Sequence, residues 1–392
     1  LDLGLEAAGF RTMVAVESDA RVAETIRLNR QWPIILEDIQ SVPTEMILER
    51  AGLKPGRVDL LAGGPPCQPF SKSRQWVNGD TPRLNDPRAQ TLREFLRVLR
   101  DVQPLAFLLE NVTGFAFNGK DEGIRLLQRE LGRINRDLGT RYEANVAELN
   151  AADYGVPQIR KRLFIVGSRD GLPFVFPEPT HADPGRMRRT LFDLPKQPWL
   201  TAWDAIGDLN RLTHPTLQVK GKWGDLLPSI PEGNNYLYHT PRGEGMAIFG
   251  WRRKYWSFLL KLAKASPSWT IQAQPGTATG PFHWKNRRLS VRELCRLQTF
   301  PDDFEVAGSI TDAQRQLGNA VPCLIGEVLG RAIREQLITF GRMRKPLRFL
   351  PRSRQRIAKP EPVSAVPRKY HSLVGDHAPH PGTGKGPLVM TR

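Results

Sequence analysis

Cys67 is the residue on which covalent chemistry could turn. It lies in Gly63-Gly64-Pro65-Pro66-Cys67-Gln68-Pro69-Phe70-Ser71, directly after the apolar run Val58–Ala62. That run reads as a buried strand bounded by turn residues, and ligands of open α/β sheets bind just past such strand ends. The flanking prolines fix φ and remove backbone donors, so the loop is stiff. A thiol held rigidly at a strand end is a candidate nucleophile, although a free cysteine more often fills a core. What favours chemistry here is the set of residues that follows. Glu110-Asn111-Val112 closes the apolar run Pro104–Leu109, and Gln158-Ile159-Arg160-Lys161-Arg162 leads into another strand. Strand alternation would put Arg160 and Arg162 on one face. Arg292-Glu293-Leu294-Cys295-Arg296-Leu297-Gln298 with Phe300-Pro301 comes next, then Gln316-Leu317-Gly318-Asn319-Ala320-Val321-Pro322. Taken singly, a Glu-Asn pair is an ordinary turn and Gln-x-Arg-x-Arg an ordinary surface charge cluster.

The positioning elements alternate. Strands are expected at Thr12–Val16, Pro33–Leu36, Val58–Ala62, Pro104–Leu109, Tyr142–Leu149 and Arg162–Gly167. Helices are expected at Leu1–Gly9, Asp19–Arg30 with Asp19 as N-cap, Arg88–Gln103 and Gly123–Leu138. The order implies an α/β fold with a doubly wound, mainly parallel sheet. Glu17 closes the first of these strands, where an acid commonly binds ribose hydroxyls in nucleotide folds; Asp38 follows the second. Either would also serve as a plain helix-capping acid.

From Pro177 to Pro281 the chain is rich in Pro, Gly and Trp, and seven of the nine tryptophans lie between Trp199 and Trp284. This reads as a smaller, irregular domain whose tryptophans form a core rather than a base-stacking platform. Helical patterning returns at Ser290–Leu297 and Pro322–Gln336. The expected divisions are therefore 1–176, 177–281, 282–340 and a basic tail, 341–392, poor in apolar residues and disordered.

The net charge is +17 at a pI near 10.2, which favours a polyanionic partner, nucleic acid first. Ten of those charges belong to the tail, where twelve Lys and Arg face only Glu361 and Asp376. Three cysteines without a C-x-x-C support neither a disulfide framework nor a zinc ribbon, and the histidines lack metal-ligand spacing. No apolar stretch reaches membrane length, and no secretory signal opens the chain. A reducing cytoplasm fits this cysteine usage.

Together and in this order, the motifs resemble the C5-cytosine DNA methyltransferases of the Dcm-like and restriction–modification type, over roughly residues 1–340. The resemblance implies a Rossmann-like, S-adenosylmethionine-dependent sheet with a smaller target recognition domain at 177–281. It implies methyl transfer from S-adenosylmethionine to carbon 5 of a cytosine flipped out of double-stranded DNA, since a base inside the stack cannot reach a nucleophile. Cys67 matches the nucleophile that adds to carbon 6. Glu110 matches the acid that protonates N3, its pKa expected to rise with burial. Arg162 matches the contact to O2, and Arg160 a support for the Cys67 loop or a phosphate. Glu17, Asp38, Ile39, Pro66, Asn319 and Val321 match cofactor contacts. Ser71–Arg88 reads as a catalytic loop, with Lys72, Arg74 and Arg88 toward phosphates and Ser71 or Gln75 filling the vacated stack. Lys220, Lys222, Arg242, Arg252, Arg253 and Lys254 of the recognition region are further DNA contacts. Thr270–Ala273 and Arg287–Ser290 resemble the family's return into the catalytic domain.

A cognate restriction endonuclease acting separately, a monomeric state and no membrane association also follow from the resemblance. The family's first motif is a strand and a Phe-x-Gly-x-Gly-Gly loop, and this sequence enters it at Leu1-Asp2-Leu3-Gly4-Leu5-Glu6. Truncation within that motif is therefore expected. Two other functions share the motifs: RNA cytosine-5 methylation, practised by one branch of the family, and nucleic-acid binding by a decayed, non-catalytic fragment.

Overall fold

The apolar run after Pro104 becomes a strand buried along its whole length. In the computed structural model, which describes residues 1–65, 90–113, 122–186, 196–252, 254–341, 345–353, 356–375 and 377, all six residues of Ala106–Asn111 are buried. The chain forms two units, Leu1–Ala151 with Lys161–Pro179 and Cys323–Phe349, and Ala152–Arg160 with Thr180–Pro322 and Leu350–Arg392.

The elements of the first unit are, in chain order, α1 (Asp2–Ala7), β1 (Ala15–Val16), α2 (Ala20–Asn29), β2 (Ile34–Ile35), α3 (Thr44–Ala51), β3 (Leu60–Gly63), α4 (Gln90–Val102), β4 (Ala106–Asn111), α5 (Glu122–Leu138) and β5 (Asn145–Asn150). Its sheet runs β3-β4-β7-β5, where β7 is Lys161–Ser168, and β1 pairs with β2 in parallel. Strand β3 is parallel to β4, but β7 is antiparallel to both of its neighbours. The expected mainly parallel sheet thus carries one reversed strand. The link from β5 to β7 holds no crossover helix, and a parallel connection needs one.

Local rules explain the helices. Asp19 caps α2 by accepting from the Arg21 and Val22 amides, worth about 1 kcal/mol. Leu92, Phe95, Leu96 and Leu99 give α4 a single apolar face, and Leu126, Leu127, Leu131 and Ile134 do the same for α5. Both faces bury against Phe107, Leu109, Leu163 and Ile165 of the sheet. The last helix of the unit, Cys323–Ile333, lies so close to α1 that a Cβ on Gly4 would fall 2.2 Å from the Cys323 carbonyl oxygen. The expected strands Thr12–Val16 and Pro33–Leu36 shrink to two residues each. No described helix is long and apolar enough to cross a membrane.

The second unit contains β6 (Gln158–Ile159), short strands at His181–Ala182, Gln197–Pro198 and Ser268–Trp269, and several 3-10 turns. Its α-helices are Ala202–Ile206, Val291–Leu297 and Ile310–Asn319, each with a complete capping box. The compositional boundary at 281/282 is not a boundary here. Leu289, Leu294, Leu297 and Leu317 share a core with Ile206, Leu262, Ile271 and Trp284, and only Cys323 begins the return to the first unit. A second core gathers Leu226, Tyr236, Phe249, Leu259 and Phe282 around Trp223.

The expected disordered tail is also corrected for its described residues. Tyr370 is buried, stacks on Trp223 with centroids 5.6 Å apart, and donates its hydroxyl proton to the Lys222 carbonyl. Glu361 accepts from Lys264 and Lys285, and the Ser364 amide donates to the Pro228 carbonyl. One aromatic, Tyr370, and one acid, Glu361, are the side chains that anchor it most directly.

Tyr370→Ala should therefore destabilise the second unit by roughly 3–5 kcal/mol, the usual cost of emptying a buried aromatic site. Denaturant unfolding followed by tryptophan fluorescence measures this, and an unchanged midpoint would contradict the packing described.

Candidate active site

Strand β4 ends on Glu110 and Asn111, both buried. In the antiparallel register Glu110 faces Phe164, so Arg162 is its diagonal neighbour on the same sheet face. The Arg162 Nε lies 3.0 Å from Glu110 Oε1. Beside this pair runs the main chain that leaves β3. A Cβ on Gly64 would lie 3.4 Å from Glu110 Oε2, and Asn111 Nδ2 reaches the Pro65 carbonyl at 3.5 Å. The Asn111 Oδ1 accepts from the Val112 amide, which fixes the amide group in place. The carboxylate, the guanidinium and the loop that leads to Cys67 are thus assembled at one end of the sheet.

Cys67 and Pro66 lie outside the described residues, as do Ser71, Lys72, Arg74, Gln75, Arg88 and Arg253. The other two cysteines can be assessed. Both are buried, and burial pushes the Cys295 thiol up to about 12. A thiol so disfavoured as thiolate is a poor nucleophile.

Arg160 departs from expectation. The strand breaks at Arg160: β6 pairs in parallel with Ser268–Trp269, and β7 begins afresh at Lys161. The two arginines therefore do not share a face. Arg160 is 1 % exposed and donates from Nη2 to the Gly318 carbonyl. Around it the sequence motifs interlock within the second unit. Gln158 donates to the Leu297 carbonyl and accepts from the Ile271 amide, and Thr270 donates to the Ile159 carbonyl. Gln298 donates to the Leu317 carbonyl, and a Cβ on Gly318 would collide with Ala273 at 2.5 Å. This interlocking role for Gln158, Thr270 and Gln298 was not anticipated. Its only sequence signal was their membership of the same ordered motifs.

Glu17 and Asp38 follow β1 and β2, adjacent parallel strands, so both carboxylates lie beyond the same strand ends. Glu17 accepts from the Asp19 amide, and Asp38 from the Gln40 amide at the start of the 3-10 turn Ile39–Ser41. Arg97 braces that turn through the Ile39 and Val42 carbonyls. Two carboxylates and an apolar Ile39 fit the hydroxyl and amino donors of a nucleoside. Asn319, exposed at the end of its helix, and Val321, buried, belong to the second unit. Arg252, also of the second unit, is exposed. Among the described residues no cluster of His, Cys, Asp and Glu could hold a metal ion.

The motif Arg287…Glu293 forms a buried charged knot. Arg287 donates both terminal nitrogens to the Glu293 carboxylate, which also caps its helix through Ser290. His283 lies alongside and accepts from the Lys285 amide at Nδ1, which leaves its proton on Nε2, 3.4 Å from Glu293 Oε1. Burial, then Arg287, Lys264 and Lys285, hold its pKa far below 6.5.

A family model described as C-5 cytosine-specific DNA methylase matches residues 1–335. The chain is 41% identical over 345 residues to the type II methyltransferase M.SacI of Streptomyces achromogenes, covering 85% of this chain and 86% of that one. It is 33% identical to M.NgoFVII of Neisseria gonorrhoeae, covering 82% and 80%. A DNA modification methyltransferase structure from an E. coli prophage superposes with a TM-score of 0.55 at 24% identity, covering 86% of this chain and 95% of that one. Spodoptera frugiperda DNMT2 superposes with 0.55 at 17% identity, covering 84% and 96%.

The neutral His283 sets an acid limit. Below about pH 6.5 the unfolded chain takes up a proton that the folded one refuses, so stability is full above that pH and falls as the pH drops. Burial lowers the pKa of His181 and His239 as well, which adds to the slope. His283→Gln should make the decline between pH 7 and pH 5 shallower. Melting temperatures across that range test this, and an identical slope in the variant would refute it.

Proposed function

The chain belongs to the C-5 cytosine-specific DNA methylase family, and from that premise we propose that Glu110 and Arg162 receive a flipped cytosine and that Cys67 attacks it. The chain is a DNA (cytosine-5-)-methyltransferase of α/β fold that uses S-adenosylmethionine. The observation that carries the site assignment is the Glu110–Arg162 pair beside the Gly64-Pro65 main chain, two residues before Cys67.

Carbon 5 of cytosine becomes nucleophilic only when a thiolate adds to carbon 6. Cys67 Sγ forms that bond while N3 takes a proton from Glu110, so negative charge does not accumulate on the ring. Arg162 donates to the base O2 and stabilises the charge that develops there. In the resting protein Arg162 and Glu110 satisfy each other; an entering base supplies both with new partners. S-adenosylmethionine, when bound, supplies the methyl group that carbon 5 accepts. Loss of the carbon 5 proton to solvent, return of the N3 proton to Glu110 and elimination of Cys67 as a thiolate restore the ring.

Glu17 and Asp38 are proposed to hold the ribose hydroxyls and the adenine amino group, with Ile39 against the adenine and Pro66 against the methionine part. Asn319 and Val321 are proposed as cofactor contacts on their match to the family motif alone. Arg160 is proposed to act through the segments it ties together and as a support for the Cys67 loop. Ser71, Lys72, Arg74, Gln75, Arg88, Arg252 and Arg253 are proposed to bind the duplex, mainly through phosphates. The type II designation of the relatives supports a restriction–modification role, with a separate endonuclease cutting the unmethylated sequence.

A duplex carrying 5-fluorocytosine in place of cytosine tests the assignment, because fluorine cannot leave as a proton does. A denaturation-stable complex should form with the natural chain and disappear with Cys67→Ser; trapping that survives the substitution would overturn the role of Cys67. Glu110→Gln should lower turnover by ~10²–10⁴-fold, the range for a general acid, with DNA affinity nearly unchanged. A loss of less than about tenfold would exclude that role.

A further inference from the structure

Trp284 of the second unit is buried and Trp203 and Trp223 pack against its cores, whereas Trp256 is exposed. Tyr255 and Trp256 are adjacent and each is 52 % exposed. Large aromatic side chains left in water on a well-packed unit call for a partner. Their backbone, in contrast, is firmly held. Asn235, itself buried, donates from Nδ2 to the Trp256 carbonyl at 2.7 Å. The buried Tyr236 hydroxyl donates to the Lys254 carbonyl at 2.9 Å, and the Phe258 amide donates to the Tyr255 carbonyl. The Trp256 ring meets Trp269 edge-on at 5.5 Å. Cations lie along the same stretch of chain. Lys254 is exposed next to Tyr255, and the guanidinium groups of Arg242 and Arg252 lie 4.8 and 5.5 Å from the Trp251 ring centre. Arg252 adopts a left-handed backbone conformation with φ 55°, which non-glycine residues adopt rarely.

We propose that Tyr255 and Trp256, with Arg242, Arg252 and Lys254, form a specificity surface on which the two aromatic rings pack against the bases of the DNA site while the three cations hold flanking phosphates. The inference rests on the DNA methyltransferase reading and names the base contacts within it. Duplex DNA is the occupant that fits the chemistry. It brings phosphates to the cations and apolar base surfaces to the aromatic rings, whereas an apolar protein partner would leave three cations unmatched. Aromatic contacts to bases do not release counterions, and phosphate contacts do, so the two classes separate in a salt titration.

The test uses the full chain and unmethylated genomic DNA, with 5-methylcytosine mapped base by base and KM for DNA measured from 50 to 200 mM salt. Tyr255→Ala with Trp256→Ala should raise KM about tenfold or more, broaden the set of methylated sequences, and leave the salt slope unchanged. Trp256→Phe should recover most of the loss. Arg242→Ala and Arg252→Ala should each reduce the salt slope by about one and leave sequence preference intact. Should the double alanine variant unfold, Tyr255→Gln and Trp256→Gln, made singly, decide in its place. A natural chain that methylates, together with aromatic variants of unchanged KM and unchanged sequence preference, would overturn this inference alone. A natural chain that never methylates cytosine would overturn the functional reading beneath it.

Discussion

A carboxylate buried at the end of a central strand must find a partner, and the site follows from how Glu110 finds one. An uncompensated buried charge costs several kcal/mol. The sheet solves this by inserting a reversed strand beside β4, whose register brings Arg162 diagonally onto Glu110. A wholly parallel sheet would not present that diagonal at that strand end. The antiparallel strand is therefore what makes an acid and a guanidinium available together. The main chain leaving β3 passes beside the pair, with Gly64 next to the Glu110 carboxylate.

The second unit meets a different constraint. With few ladders and short helices, much of its buried main chain must be satisfied by side chains. Arg160, Gln158, Thr270 and Gln298 supply donors to carbonyls of Gly318, Leu297, Ile159 and Leu317. Polar residues that look like surface features in the sequence are here interior fasteners. Each bond is modest alone, but removing one partner leaves a buried carbonyl that pays its full desolvation cost. This makes the motif residues hard to exchange even where they touch no substrate.

What could be read from the sequence was what local physics decides. Asp19 caps its helix where expected, since a cap depends only on residues two or three positions away. The apolar faces of α4 and α5 follow their periodicity in the same way. Glu110 and Arg162 could be placed at strand ends, and their shared sheet face depends on a register no local pattern encodes. Arg160 was misplaced because alternation assumes an unbroken strand, and β6 leaves the ladder to pair with a segment over a hundred residues later. For the described residues 356–375 the expected disorder fails because composition counts residues without seeing partners: Tyr370 is one aromatic in a basic segment until Trp223 is placed beneath it.

That last error changes the electrostatics as well as the fold. A disordered tail would spread its positive charge over a wide volume and bind polyanions without direction. In the described residues 356–375 the anchors are an acid and an aromatic, Glu361 and Tyr370, while Arg356, Lys359, Arg368 and Lys369 are exposed. Neutralising Lys264 and Lys285 uses the segment's acid, so its cations are not consumed internally, apart from Lys369 against Asp225. The excess charge is thereby fixed to the unit that carries Arg242, Arg252 and Lys254. A fixed array of charge has an orientation, and it can steer a duplex toward one face in a way that a mobile one cannot.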